Sequence, residues 1–136
     1  MGQPHAARDL GPAEERVSAA CASAGFALSA PQAAMLGHYL ELLNRWNQVH
    51  SLTAIESPDE QVTKHILDSL AAWQAVVQAC GGFTNGLIAD VGSGMGAPGV
   101  IWAAVMPESR FDLIERQQKK QHFCGMSLGS WAGLAG

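Results

Sequence analysis

The sequence predicts an α/β fold in which helices precede a parallel sheet, on three observations. Up to residue 80 the apolar residues recur at helical spacing. Leu87, Ile88, Ala89 and Val91 then form a short apolar run, the pattern of a buried parallel strand, and Gly92-Ser93-Gly94-Met95-Gly96 follows directly. Arg110–Glu115 reads as the next strand, so strand and helix alternate after residue 86.

Taken in order, residues 1–11 carry Gly2, Pro4 and Gly11 and read as a frayed arm. Pro12–Ala24 is expected as a short helix with Glu14 and Glu15 at its positive end, stopped by Gly25. Ser29 is placed to cap a second helix over about Pro31–Gln48, where Leu36, Tyr39, Leu40, Leu43 and Trp46 make one apolar stripe. His50–Ile55 is a connector. Ser57-Pro58-Asp59-Glu60 starts another helix, with a capping Ser, Pro at the first position and Glu three residues on. This helix should run to about Cys80 and bury Val62, Ile66, Leu70, Trp73 and Val77. His65 and Asp68 share a face of it, as a local hydrogen bond or as a contact to substrate or cofactor. Gly81–Gly86 is a linker between a helical region, 1–80, and an α/β segment, 87–136. In the latter, Pro98–Met106 is expected as a helix ending at Pro107.

Composition narrows the function. The 136 residues are 48% hydrophobic and suit one globular domain. A net charge of −4 does not advertise nucleic-acid binding. Arg110, Arg116, Lys119, Lys120 and His122 nevertheless cluster after the glycine loop, either as an RNA-facing rim or as a solvated helix start. Cys21, Cys80 and Cys124 are widely spaced and form no C-x-x-C pair, which fits a reducing cytoplasm rather than a disulfide framework or zinc site. The five histidines show no metal spacing. The N-terminus lacks a secretory pattern, and Ala6 stands where a myristoylation signal needs Ser or Thr. Leu87–Met106 is apolar, but its glycines and Pro98 argue for strand–loop–helix rather than a membrane span.

Strand, glycine loop and helix start together form a nucleotide-type cofactor site. Gly94 to Gly99 fits G-x-G-x-x-G, so a dinucleotide such as NAD is a rival. Asp90 argues against it, because a pyrophosphate over this loop would meet a negative charge. S-adenosylmethionine carries a sulfonium and an ammonium, and both gain from a nearby acid. Glu115 ends the second strand close to the offset of roughly 20 residues at which an acid accepts hydrogen bonds from ribose hydroxyls. No Gly-Lys-Ser/Thr follows, so the loop is not a P-loop.

Four segments in order, Leu42-Leu43-Asn44-Arg45-Trp46-Asn47, Leu52-Thr53-Ala54-Ile55, His65-Ile66-Leu67-Asp68-Ser69-Leu70 and Asp90–Gly99, resemble the bacterial small-subunit ribosomal RNA guanine-N7 methyltransferase G family. The similarity covers roughly Leu36 to Phe123. The resemblance implies a class I, Rossmann-like methyltransferase fold behind N-terminal helices, with S-adenosylmethionine as donor and a 16S rRNA guanine of the 30S subunit as acceptor. Asp90, Gly92, Gly94 and Gly96 match the methionine-binding loop. Ala97 stands where the family usually has Leu against the cofactor, and Glu115 matches the ribose acid, usually Asp. Lys119 and Lys120 match a basic pair, commonly Lys-Arg, and with Arg116 are the candidate RNA contacts. Ser51 replaces the usual Asn. The family continues after Phe123 with further strands, whereas Cys124–Gly136 has no charge, several glycines and poor helix character. The sheet is therefore expected to be incomplete and the chain a truncated or frame-shifted form.

The resemblance also implies a mechanism without a catalytic residue, since guanine N7 already holds a lone pair. A cytoplasmic monomer without metal is expected. The alternatives are an NAD-dependent oxidoreductase fragment and a non-catalytic module whose N-terminal helices bind a partner.

Overall fold

The computed structural model describes residues 13–81, 86–106 and 108–130. The frayed arm, most of the linker, Pro107 and the last six residues lie outside these. Helix α1 (Ala13–Ser23) buries Val17 and Cys21 against α2 (Ala30–His50). Gly37 makes that approach possible, because a Cβ there would sit 2.5 Å from the Glu14 backbone nitrogen. Gly25 stops α1 in a left-handed conformation, φ 88°.

Helix α2 opens with a full capping box. The Ser29 hydroxyl accepts from the Gln32 N–H at 3.2 Å, and the Gln32 side chain accepts from the Ser29 N–H at 2.9 Å. Its stripe is core as expected, with Leu36, Tyr39, Leu40 and Leu43 buried and Trp46 half-buried. The helix ends at Ser51, whose backbone is left-handed at φ 50°, ψ 57°. Asn or Gly would tolerate that left-handed region better than Ser does.

The next helix starts at Pro58 as expected, with Ser57 at the cap position but its side chain making no capping hydrogen bond, and it is not uniformly α. It runs as α3 (Pro58–Gln61), a π-helical stretch (Val62–Leu67) and α4 (Asp68–Ala79), with helical backbone at both junctions. Burial recurs every four residues here, at Gln61, His65, Ser69 and Trp73 and again at Val62, Ile66 and Leu70. Val77 lies beyond this stretch and is only half-buried.

Strand β1 (Leu87–Val91) pairs in parallel with β2 (Arg110–Ile114), joined by α5 (Gly99–Val105). The register sets Ile88, Asp90, Phe111 and Leu113 on one face, where Gly99 of α5 lies tight against Asp90 and Leu113. Leu87, Ala89 and Val91 fall on the opposite face with Ile114. The expectation of a buried run is corrected on this side: Leu87 is 66%, Val91 76% and Ile114 52% exposed. Among the described residues the sheet has two strands and its helices cover one face.

Helix α6 (Gln118–Ser130) corrects the reading of the tail. Residues 124–130 are helical despite their glycines. Phe123, Cys124 and Ser127 are buried, and the Phe123 ring lies 5.8 Å from both Tyr39 and Trp46. Packing of this kind overrides weak propensity. One hydrophobic cluster thus joins α2, α5 and α6 with the π stretch. No helix among the described residues is long and apolar enough to cross a membrane, and no cluster of metal-ligating side chains occurs among them.

Replacing the strained cap, Ser51→Gly, should raise stability by about 1 kcal/mol. Thermal unfolding should then show a midpoint roughly 3 °C higher.

Candidate functional site

The site is built on the loop between β1 and α5. Gly92, Gly94 and Gly96 all have positive φ, at 73°, 57° and 103°. The alternation of glycines is therefore a backbone requirement. At Gly96 space is also decisive, since a Cβ would lie 2.5 Å from a Val100 methyl. A Cβ at Gly92 would meet nothing within 4 Å, which leaves the loop open to a ligand there.

Backbone groups of the loop are held from outside it. The Gly92 and Ser93 N–H groups both donate to the Ile114 carbonyl, at 2.7 and 3.1 Å. The Gly94 N–H donates to Glu115 Oε2 at 2.9 Å. The Cys124 thiol donates to the Gly94 carbonyl at 3.5 Å, and the Tyr39 hydroxyl to the Met95 carbonyl at 3.1 Å. Burial pushes the Cys124 thiol up to about 11, so it remains a protonated donor at neutral pH.

The two acids play different parts. Asp90 Oδ2 accepts from the Gly99 N–H at 3.0 Å, tying the strand end to the start of α5. Glu115 accepts from Gly94 and, through Oε1, from the Gln117 N–H at 3.3 Å. The Gly94 bond is the main reason its carboxyl lies below the ordinary carboxylate range, with Gln117 next and Lys120 adding a smaller pull. Beside these groups a groove of about 730 Å³ runs along β2 from Phe111 to Glu115, against Gln121, Cys124 and Leu128 of α6, and reaches the carboxyl end of the strand. Ligands of open α/β sheets bind beyond this end of the strands.

The structure thus brings Asp90, Gly92, Gly94, Gly96 and Glu115 together. Ala97 is half-buried and packs against the hydrophobic core. The basic group is divided. Lys119 donates to the His50 carbonyl at 2.8 Å, capping the end of α2. Lys120 is half-buried near Glu115, Arg116 is exposed, and Arg110 pairs with Asp112 at 3.5 Å on the surface. His65 does not bond Asp68. Its ring meets the Thr53 hydroxyl at 3.3 Å, and burial lowers its pKa against the opposing pull of Asp68. It belongs to a polar cluster in which Asn47 accepts from the Thr53 N–H and Gln61 donates to Asn44 and to the Ile55 carbonyl.

Sequence reasoning missed Tyr39 and Cys124 as partners of the loop. A signal existed for Tyr39: a hydroxyl in the middle of an apolar stripe needs an acceptor once buried. Nothing in the sequence marked Cys124.

The order of these motifs is shared with known proteins. A family profile described as "rRNA small subunit methyltransferase G" matches residues 32–127, which include the helical stripe, the π stretch and the loop. The chain belongs to that family. Relatives carrying the same description include proteins of Dichelobacter nodosus, 41% identical over 111 residues, and Laribacter hongkongensis, 41% identical over 110. The Cupriavidus pinatubonensis protein is 40% identical over 136 residues. These alignments cover 82%, 81% and 94% of this chain and 50%, 50% and 58% of the relatives, so the chain spans about half the length of the proteins it matches. The fold is the Rossmann-like class I methyltransferase fold, here as two parallel strands and their crossover helix behind the N-terminal helices.

Because the Glu115 pKa is depressed by folding, its contribution to stability is present above the ordinary carboxylate range and is lost as pH falls through the lowered value. Thermal midpoints of the wild type and Glu115→Gln should therefore differ at neutral pH and converge in acid. A gap independent of pH would show that the charge does not brace the loop.

Proposed function

We propose that the chain carries the donor side of an S-adenosylmethionine-dependent methyltransferase acting on guanine N7 of 16S rRNA in the cytoplasmic small ribosomal subunit. Family membership supports the reaction class and the rRNA substrate class. The observation that carries the donor assignment is the pair of carboxylates flanking a loop of left-handed glycines.

The residues fit this donor. Asp90 sets a carboxylate beside the loop, which favours a cationic group there and disfavours the pyrophosphate of NAD. Glu115 stands at the tip of β2, where ribose hydroxyls can donate to it, and Gly92 leaves room for close backbone approach. Within this reading Gly92, Gly94 and Gly96 give the donor a surface without side chains, and Ala97 contributes a small apolar contact. When bound, the donor supplies an electrophilic methyl group. Guanine N7 holds its own lone pair, so the methyl would pass to it as the sulfonium C–S bond breaks and S-adenosylhomocysteine leaves. The protein's task would be alignment in a dry pocket at about 3 Å separation, and no general base is assigned. Arg116 and Lys120 are the basic residues best placed for phosphate, with Lys119 committed to the end of α2.

Three experiments test the reading. Calorimetric titration with S-adenosylhomocysteine should show binding, while NADH in a parallel titration should not; the reverse pattern overturns the donor. Asp90→Asn keeps an acceptor for Gly99 but removes the charge. It should leave folding intact and weaken S-adenosylmethionine binding about tenfold, an effect of roughly 1.4 kcal/mol. Equal affinity would remove Asp90 from the cationic group. For the acceptor side, binding to a 16S rRNA fragment should weaken steeply with salt, and Arg116→Ala with Lys120→Ala should flatten that slope.

A further inference from the structure

Both polar groups of the peptide between Met95 and Gly96 are hydrogen-bonded, the carbonyl to Tyr39 and the N–H to Ser93. Turning this peptide plane changes ψ of Met95 and φ of Gly96, and glycine accepts either sign of φ, so the backbone of residue 96 does not bar the turn. Turning it would swing the Gly96 N–H away from the Ser93 carbonyl, to which it donates at 2.8 Å. Outside the loop, the group that fixes the Met95 carbonyl is the Tyr39 hydroxyl at 3.1 Å. That hydroxyl has no freedom of its own. The Tyr39 ring is fully buried in the middle of α2, with the Phe123 ring of α6 at 5.8 Å. Burial also holds the phenol far above its ordinary pKa, so it stays a donor at any physiological pH.

We propose that Tyr39 is a positioning residue: its hydroxyl locks the orientation of the Met95–Gly96 peptide and so makes donor affinity depend on how the N-terminal helices are packed. The link to affinity rests on the donor reading above, whereas the lock itself does not.

The test is Tyr39→Phe in the full chain, followed by amide hydrogen exchange without ligand and by S-adenosylhomocysteine titration. One hydrogen bond of this type corresponds to about a three- to tenfold change. Exchange at the Gly96 amide should accelerate by that factor while amides of α1 and α4 keep their rates, and S-adenosylhomocysteine should bind more weakly by a similar factor. Phe123→Leu loosens the ring but keeps the hydroxyl, and should not single out Gly96. Unchanged exchange at Gly96 in Tyr39→Phe, or acceleration spread evenly over the chain, overturns the lock. So does selective acceleration at Gly96 in Phe123→Leu, because packing would then hold the loop without the hydroxyl. A wild-type chain that does not bind S-adenosylhomocysteine sinks the donor reading, and the exchange data alone then decide the lock.

Discussion

A glycine loop has almost no side chains with which to hold its own shape. Gly92, Gly94 and Gly96 bring left-handed backbone and open space, and the same freedom makes the loop floppy in isolation. The holding must come from elsewhere, and three distant elements supply it. Strand β2 accepts from Gly92 and Ser93 and offers Glu115 to Gly94, α6 offers the Cys124 thiol, and α2 offers Tyr39. Asp90 completes the arrangement by fixing the start of α5. The N-terminal helices are therefore structural partners of the loop, not an appendage to it.

How far the sequence could be read follows from the range of the interactions concerned. Helix starts are local: Ser29 with Gln32, and Ser57 with Pro58, carry their signals within four residues, and both helices begin where expected. The glycine loop was legible because its backbone conformation excludes other residues. The π stretch was hidden, since the apolar spacing of Val62–Leu67 suits an α turn equally well, and the polar cluster of Asn44, Thr53, Gln61 and His65 beside it forms only in the folded chain. The helical character of residues 124–130 was hidden for a related reason. Propensity there is poor, and what orders the segment is Phe123 seated between Tyr39 and Trp46, residues some 80 positions away in sequence.

Charge behaves in the same way. Lys119 and Lys120 are adjacent in sequence and look equivalent as candidate phosphate contacts. Folding separates them, because one side chain reaches the last carbonyl of α2 and the other sits in the field of Glu115. A basic run is a count of charges, and how many remain free depends on which carbonyls and carboxylates the fold brings near them.

The bare face of the sheet has a colloidal consequence. Leu87, Val91 and Ile114 offer water a ridge of branched side chains over a two-stranded ladder. Such a ridge does little to weaken an isolated molecule, yet every encounter between two molecules gives it something to cover. The consequence of such a face is a drive toward self-association that grows with concentration rather than with any weakness of the core.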